Sequence, residues 1–194
     1  FREAQLKSGQ TIFVRGGTGG VGSMVVQMAK AVGANVIATA GGPKKVEQCQ
    51  RLGADHVLDY TQVDLQSRVL ELAPQGVNVF WETLREPDLD FAVSALAERG
   101  RMIVMAGRDA RPEFPLGPFY VKGCSLHGFA MFKATATEQA SCASDINHWL
   151  ASGRLKPLID RTLPLSQTAE AHRLQEAHTV AKQSSLTGKL VLVP

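Results

Sequence analysis

Seven residues constrain this chain more than any others. Gly16-Gly17-Thr18-Gly19-Gly20-Val21-Gly22 stands between the apolar run Thr11-Ile12-Phe13-Val14 and a segment where Met24, Val25, Met28, Ala29 and Val32 recur at helical spacing. That order predicts strand, glycine loop, helix. Gly17, Gly19 and Gly22 form a GxGxxG pattern inside it. The pattern serves three needs: a tight turn, a backbone that comes close to a pyrophosphate, and a helix that meets a strand with no side chain between them. A residue without Cβ meets each need. The free N–H groups and positive dipole end of the helix then face the phosphates. The alternative is a purely structural glycine turn, but strand, loop, helix and a second strand over Asn35–Ala40 all fall in register, which favours the phosphate site. A Walker loop is excluded because no Lys-Ser or Lys-Thr follows the glycines.

The alternation continues. Helices are expected over Lys44–Leu52, Leu65–Leu72 and Asp88–Leu96, and strands over Asp55–Leu58, Val77–Trp81, Arg101–Gly107 and Ser125–Phe129. Strands alternating with helices mean a parallel sheet. The expected fold is therefore α/β, a doubly wound parallel sheet of about six strands; with the glycine loop at its first strand-to-helix turn, the strand order taken for it is 3-2-1-4-5-6. Pro112, Pro115 and Pro118 mark Arg108–Tyr120 as an irregular loop. A helix over Thr137–Leu150 is expected to turn Ile146, Trp149 and Leu150 inward. Beyond it the character changes to extended segments, Leu155–Ile159 and Arg161–Leu165, a helix over Thr168–Glu176 and a strand over Lys189–Val193.

Composition excludes several classes. With 44% hydrophobic and 20% charged residues the chain packs a core. Its net charge of +3 is spread along the sequence, with Lys44-Lys45 the densest basic spot, so neither nucleic acid nor a membrane surface is an expected partner. No run approaches the ~18 apolar residues of a membrane span, and the opening Phe1–Lys7 lacks a signal-peptide layout. That opening reads as the end of a helix, as in a piece of a longer protein. Cys49, Cys124 and Cys142 form no CxxC pair, so no disulfide framework or four-cysteine zinc site is expected, and reduced thiols suit a cytoplasmic setting. The five histidines show no metal-ligand spacing.

Where an Asp or Glu would receive the adenosine ribose of NAD, this chain has Thr39, Ala40 and Gly41, followed by Lys44 and Lys45. A missing carboxylate and two nearby ammonium groups favour the 2′-phosphate of NADP, against the alternative of a solvated lysine pair. Tyr60 ends the third strand beside the same region. Glu82 ends the fourth strand, where it either borders the nicotinamide or serves as a capping or salt-bridging carboxylate.

The segments Val14–Ala40, Leu52–Tyr60, Gly100–Gly107, Leu155–Leu174 and Thr187–Val193 together resemble the medium-chain dehydrogenase/reductase superfamily, and most of all its zinc-independent quinone oxidoreductase, zeta-crystallin-like branch. The resemblance runs along essentially the whole chain. It implies a Rossmann-type domain that binds NADPH and an enzyme that passes hydride to a quinone or another conjugated carbonyl acceptor. It places the pyrophosphate on Gly19, Gly20, Val21 and Gly22, and the 2′-phosphate and adenosine on Lys45 and Tyr60. Gly107 then lies beside the cofactor's central portion and the backbone of Phe129, Ala130 and Met131 near the nicotinamide, with Gly17 and Thr18 completing the loop.

The resemblance also implies two parts, an NADP-binding domain over 1–155 and, over 156–194, the C-terminal return segment of a GroES-like catalytic domain that is otherwise absent. No metal ligand and no catalytic residue is named within this chain. The piece alone is expected to be inactive, and to self-associate as a dimer because its extended tail segments, deprived of partner strands in the absent domain, leave open edges. Two other readings are an enoyl reductase domain of a polyketide-type synthase and a non-catalytic NADPH-binding structural or regulatory protein.

Overall fold

The computed structural model describes residues 2–181 and 186–194. Its main body alternates β1 (Thr11–Val14), α1 (Gly22–Ala31), β2 (Asn35–Ala40), α2 (Pro43–Arg51), β3 (His56–Asp59), α3 (Leu65–Leu72), β4 (Val77–Glu82), α4 (Leu89–Ala95), β5 (Leu96–Val104), α5 (Leu116–Val121) and β6 (Ser125–Gly128). After a 3-10 turn at Met131–Lys133 come α6 (Ala136–Ala151), β7 (Ile159–Pro164), a second 3-10 turn at Leu165–Gln167, α7 (Thr168–Thr179) and β8 (Lys189–Val193). The first six strands form one parallel sheet in the expected order, β3-β2-β1-β4-β5-β6.

Strand pleating explains the two cores. Ile12 and Val14 of β1 point to the face covered by Val25, Val26 and Ala29 of α1, whereas Phe13 points to the opposite face with Phe80, Phe91 and Val69. Both faces are buried, so the central strands are apolar along their length. Phe13, Phe80 and Phe91 pack with ring centroids 4.8–5.5 Å apart, two of the three contacts edge to face.

Several expectations are corrected. Strand β5 begins at Leu96, directly at the end of α4, and stops at Val104; the break expected between a helix ending at Leu96 and a strand starting at Arg101 survives only as an irregularity, with Val77 opposite Leu96 but Val79 opposite Arg101, and Arg99 at φ 56°. The proline-rich stretch is not wholly irregular, because α5 forms within it. Pro118 lies in the first turn, where a backbone N–H has no helical acceptor to lose. Lys122, just past α5, donates from Nζ to the carbonyls of Val93, Ser94 and Leu96 and so closes the C-terminal end of α4.

Helix α6 starts with a capping box between Thr135 and Glu138, yet none of its residues is buried, and Ile146 and Leu150 face outward. Periodicity marks a face on a helix; it does not say which body covers it. In the tail, β7 and β8 pair with each other in parallel as a separate two-stranded sheet. Helix α7 runs one turn past the expected Glu176. Arg2–Gln5 is a turn, with Gln5 N–H donating to Arg2 O, and not the end of a helix; Phe1 lies outside the described residues. The tail is fastened to the main body at its root, where the buried Gln27 side chain of α1 donates to Lys156 O and accepts from Lys156 N–H.

Phe80→Ala, which empties the center of the aromatic group, is expected to lower stability by about 3–5 kcal/mol in urea unfolding followed by circular dichroism. A loss under about 1 kcal/mol would show that the three rings do not hold this face together.

Candidate functional site

The register aligns the C-terminal ends of all six parallel strands along one edge of the sheet, and at β1 the connections change direction, to β2 on one side and β4 on the other. A crevice at such a switch point is where ligands bind in open α/β sheets. The glycine loop opens there.

Within the loop the positive backbone angle falls on Gly16, at φ 71°, one residue ahead of the GxGxxG pattern. Gly16 N–H donates to Thr39 Oγ1 and Gly17 N–H to Thr39 O, which ties the loop to β2. A Cβ on Gly17 would meet Cys49 Sγ at 2.5 Å and Ala38 Cβ at 2.9 Å, and one on Gly22 would run into the Gly16 carbonyl. These two glycines therefore permit close packing. Burial pushes the Cys49 thiol up to about 12, so it is a packing group and not a nucleophile. At Gly19 a Cβ would sit 3.3 Å from Gly16 O.

The start of α1 is uncapped. Val21 at the N-cap offers no side-chain acceptor, the first turn carries no acid, and the N–H groups of Gly20, Val21 and Gly22 have no acceptor among the described residues. Orphan donors and the positive helix end together suit an anion. Sequence reasoning missed a cation beside them. Gly188 N–H donates to Thr18 O, which brings β8 onto the loop and sets Lys189 Nζ 3.6 Å from the place a Gly20 Cβ would take. Spacing could not reveal a contact across so much sequence.

At the far side of the loop the end of β2 carries Thr39, Ala40 and Gly41 beside the start of α2. Lys44 and Lys45 lie in the first turn of α2 and form no ion pair among the described residues. The Tyr60 ring, largely exposed, lies over Gly41, where any Cβ would collide with its hydroxyl. A carboxylate is nonetheless near: Asp59 Oδ1 accepts from Gly42 N–H, Thr61 N–H and Thr61 Oγ1, which hold the acid below its usual range. The pairing of Ala40 with Asp59 across β2 and β3 was the signal for it.

Glu82 is turned inward rather than toward the crevice. It is 1% exposed, accepts from Leu84 N–H at 2.7 Å and pairs with Arg15 at 3.2 Å, which favours the salt-bridging reading over a border with the nicotinamide. Burial raises its carboxyl above the usual range against the opposing pull of Leu84 N–H and Arg15. Gly107, at φ 80°, packs where a Cβ would meet Arg85 O at 2.7 Å, so the loops after β4 and β5 touch. Phe129 N–H extends the β6 ladder to Val104 O, and Ala130 and Met131 follow on the same edge, exposed.

A family model described as zinc-binding dehydrogenase matches residues 20–146. The chain belongs to this family. Human quinone oxidoreductase is 29% identical over 191 residues, covering 98% of this chain and 56% of that protein. A segment of the phthioceranic/hydroxyphthioceranic acid synthase of Mycobacterium bovis is 28% identical, covering 97% of this chain and 9% of the synthase. A mycobacterial structure solved with NADPH superimposes at TM-score 0.81 with 27% identity, covering 97% of this chain and 57% of that one. The chain thus spans about half the length of the quinone oxidoreductases it matches. The zinc in the family's description finds no site here: among the described residues no three His, Cys, Asp or Glu side chains come together. Nor is any helix among them long and apolar enough to cross a membrane.

Gly22→Ala is expected to cost more than about 2 kcal/mol in thermal or urea unfolding, because backbone stands in the way, whereas Gly20→Ala, whose Cβ would sit 3.5 Å from Gly188 O, should stay within about 1 kcal/mol. Equal effects would mean that the loop yields where it is drawn tight.

Proposed function

We propose that this chain is the NADPH-binding part of an oxidoreductase that passes hydride to a quinone or another conjugated carbonyl acceptor. The observation that carries this reading is the uncapped start of α1, drawn close against β1 and β2 because Gly17 and Gly22 carry no side chain. NADPH, when bound, supplies the hydride from its nicotinamide ring. The chain's own residues bind and orient it. Gly19, Gly20, Val21 and Gly22 receive the diphosphate, with the Lys189 ammonium alongside; Thr18 and Gly17 set the height of the loop. Thr39, Ala40 and Gly41 line the adenosine, and Lys44, Lys45 and Tyr60 face its 2′-phosphate. Gly107 passes the central portion, and the Phe129, Ala130 and Met131 backbone borders the nicotinamide and keeps water from one side of it.

Residues 1–155 serve as the nucleotide domain and 156–194 as the return segment of a second domain that shapes the acceptor pocket. This chain alone therefore binds NADPH with negligible turnover. The reaction proceeds without zinc, in the cytoplasm. A dimer is the proposed assembled state. Among the described residues no strand pairs with the outer edge of β6, and Leu126, Tyr120 and Val121 are exposed around it. A carrier-bound enoyl acceptor is the second reading, favoured by the likeness to the synthase segment.

Oxidation of NADPH by a panel of free quinones, enones and enoyl thioesters, using the full-length protein, tests the reaction; no turnover with any of them overturns it. Calorimetry tests the cofactor. Lys45→Ala should weaken NADPH by about 1–3 kcal/mol and leave NADH unchanged, the difference shrinking as salt rises. Equal losses for both would remove Lys45 from the 2′-phosphate. In light scattering the chain should run as a dimer, and a strict monomer at high concentration would refute the open-edge argument.

A further inference from the structure

One buried ion pair at the switch point is left without a task by the proposed function. Arg15 follows β1 directly and Glu82 ends β4, so their ion pair bridges the two strands that flank the switch point. Both side chains are withdrawn from water, Glu82 at 1% and Arg15 at 14% exposure. The guanidinium also lies 5.4 Å over the Phe91 ring. The backbone is stitched at the same place, with Arg15 N–H donating to Trp81 O and Thr83 Oγ1 donating to Arg15 O. Holding the strands together thus has other means. A buried ion pair is in any case weak evidence for stability, since well-packed apolar groups serve as well or better.

What the pair does supply is charge balance. A carboxylate beneath the crevice would repel a dinucleotide carrying on the order of three to four negative charges, and burial would leave that field poorly screened. Among the described residues Arg15 is the cation that pairs with Glu82. Arg85 and Glu86 on the loop after β4, Asp88 and Asp90 at the start of α4, and Arg108 and Asp109 beyond β5 form no ion pair with it among the described residues. On the β5 side it pairs with Val104.

We propose that Arg15 is a positioning residue which neutralises Glu82 at the switch point, so that a polyanionic dinucleotide can lie across the ends of β1 and β4. This rests on the NADPH reading above. The consequence is a defined pH signature. In Arg15→Met the carboxylate is left without its cation. Burial already holds this carboxyl above its ordinary range, and losing the pull of Arg15 moves it further up, so its charge, and with it the opposition to NADPH, grows as pH rises.

Calorimetric titration of the folded chain with NADPH between pH 6 and pH 8.5, each variant divided by wild type to cancel the ligand's own titration, reads the effect. The Kd ratio of Arg15→Met should rise about tenfold across this range. It should stay flat in Arg15→Met/Glu82→Gln, which has no charge at either position, and close to one in Arg15→Lys, which restores the cation. Glu82→Gln alone leaves Arg15 unopposed and should tighten NADPH several-fold, so the idea stays open to refutation even where Arg15→Met does not fold. A flat ratio in folded Arg15→Met, an equal rise in the double variant, or a Glu82→Gln that binds no tighter each overturns it while NADPH binding by wild type stands. Wild type that binds no NADPH instead removes the reading on which it rests.

Discussion

The approach of Gly22 to the Gly16 carbonyl sets how near α1 comes to the end of β1, and with it the height at which the unpaired N–H groups of Gly20, Val21 and Gly22 stand over the sheet. Gly17 does the same on the other flank, where the loop meets Cys49 of α2 and Ala38 of β2. At Gly22 a side chain is excluded by backbone, which cannot move aside, and at Gly17 by the packed Cys49 and Ala38 side chains. The parallel sheet supplies a fixed base for this arrangement because its central strands are buried on both faces and locked in register.

That base was legible in the sequence. Asn35–Ala40, Leu65–Leu72 and Lys189–Val193 have the expected bounds, because an unbroken apolar run or a helical repeat between turn residues is a local property. Alternation announced a parallel sheet, whereas its strand order was taken from the kind of fold a glycine loop of this type opens. Features that depend on distant chain were not legible. Whether Ile146 and Leu150 meet a partner, whether β7 pairs with β8, and that Lys189 reaches the glycine loop are contacts between segments far apart, and no local pattern carries them.

The candidate site divides in the same way. The glycine loop was readable since its chemistry is written in consecutive residues. Asp59 and Arg15 were missed for different reasons. Asp59 enters only through the register of β3 against β2, and Arg15 reads as an ordinary charged residue until Glu82 is placed beside it. Glu82 itself was noticed for its position at a strand end, yet its burial, which decides its role, is a property of the packed sheet.

Two hydrogen-bonded contacts tie the tail to the main body among the described residues, Lys156 on Gln27 and Gly188 on Thr18. The second of these sits one residue before Lys189, so the hydrogen bond that docks the tail is also what delivers its ammonium to Gly20. A cation supplied this way comes with the docking of the tail: loosening Gly188 from Thr18 would withdraw positive charge from the start of α1 without any change in the loop's own sequence.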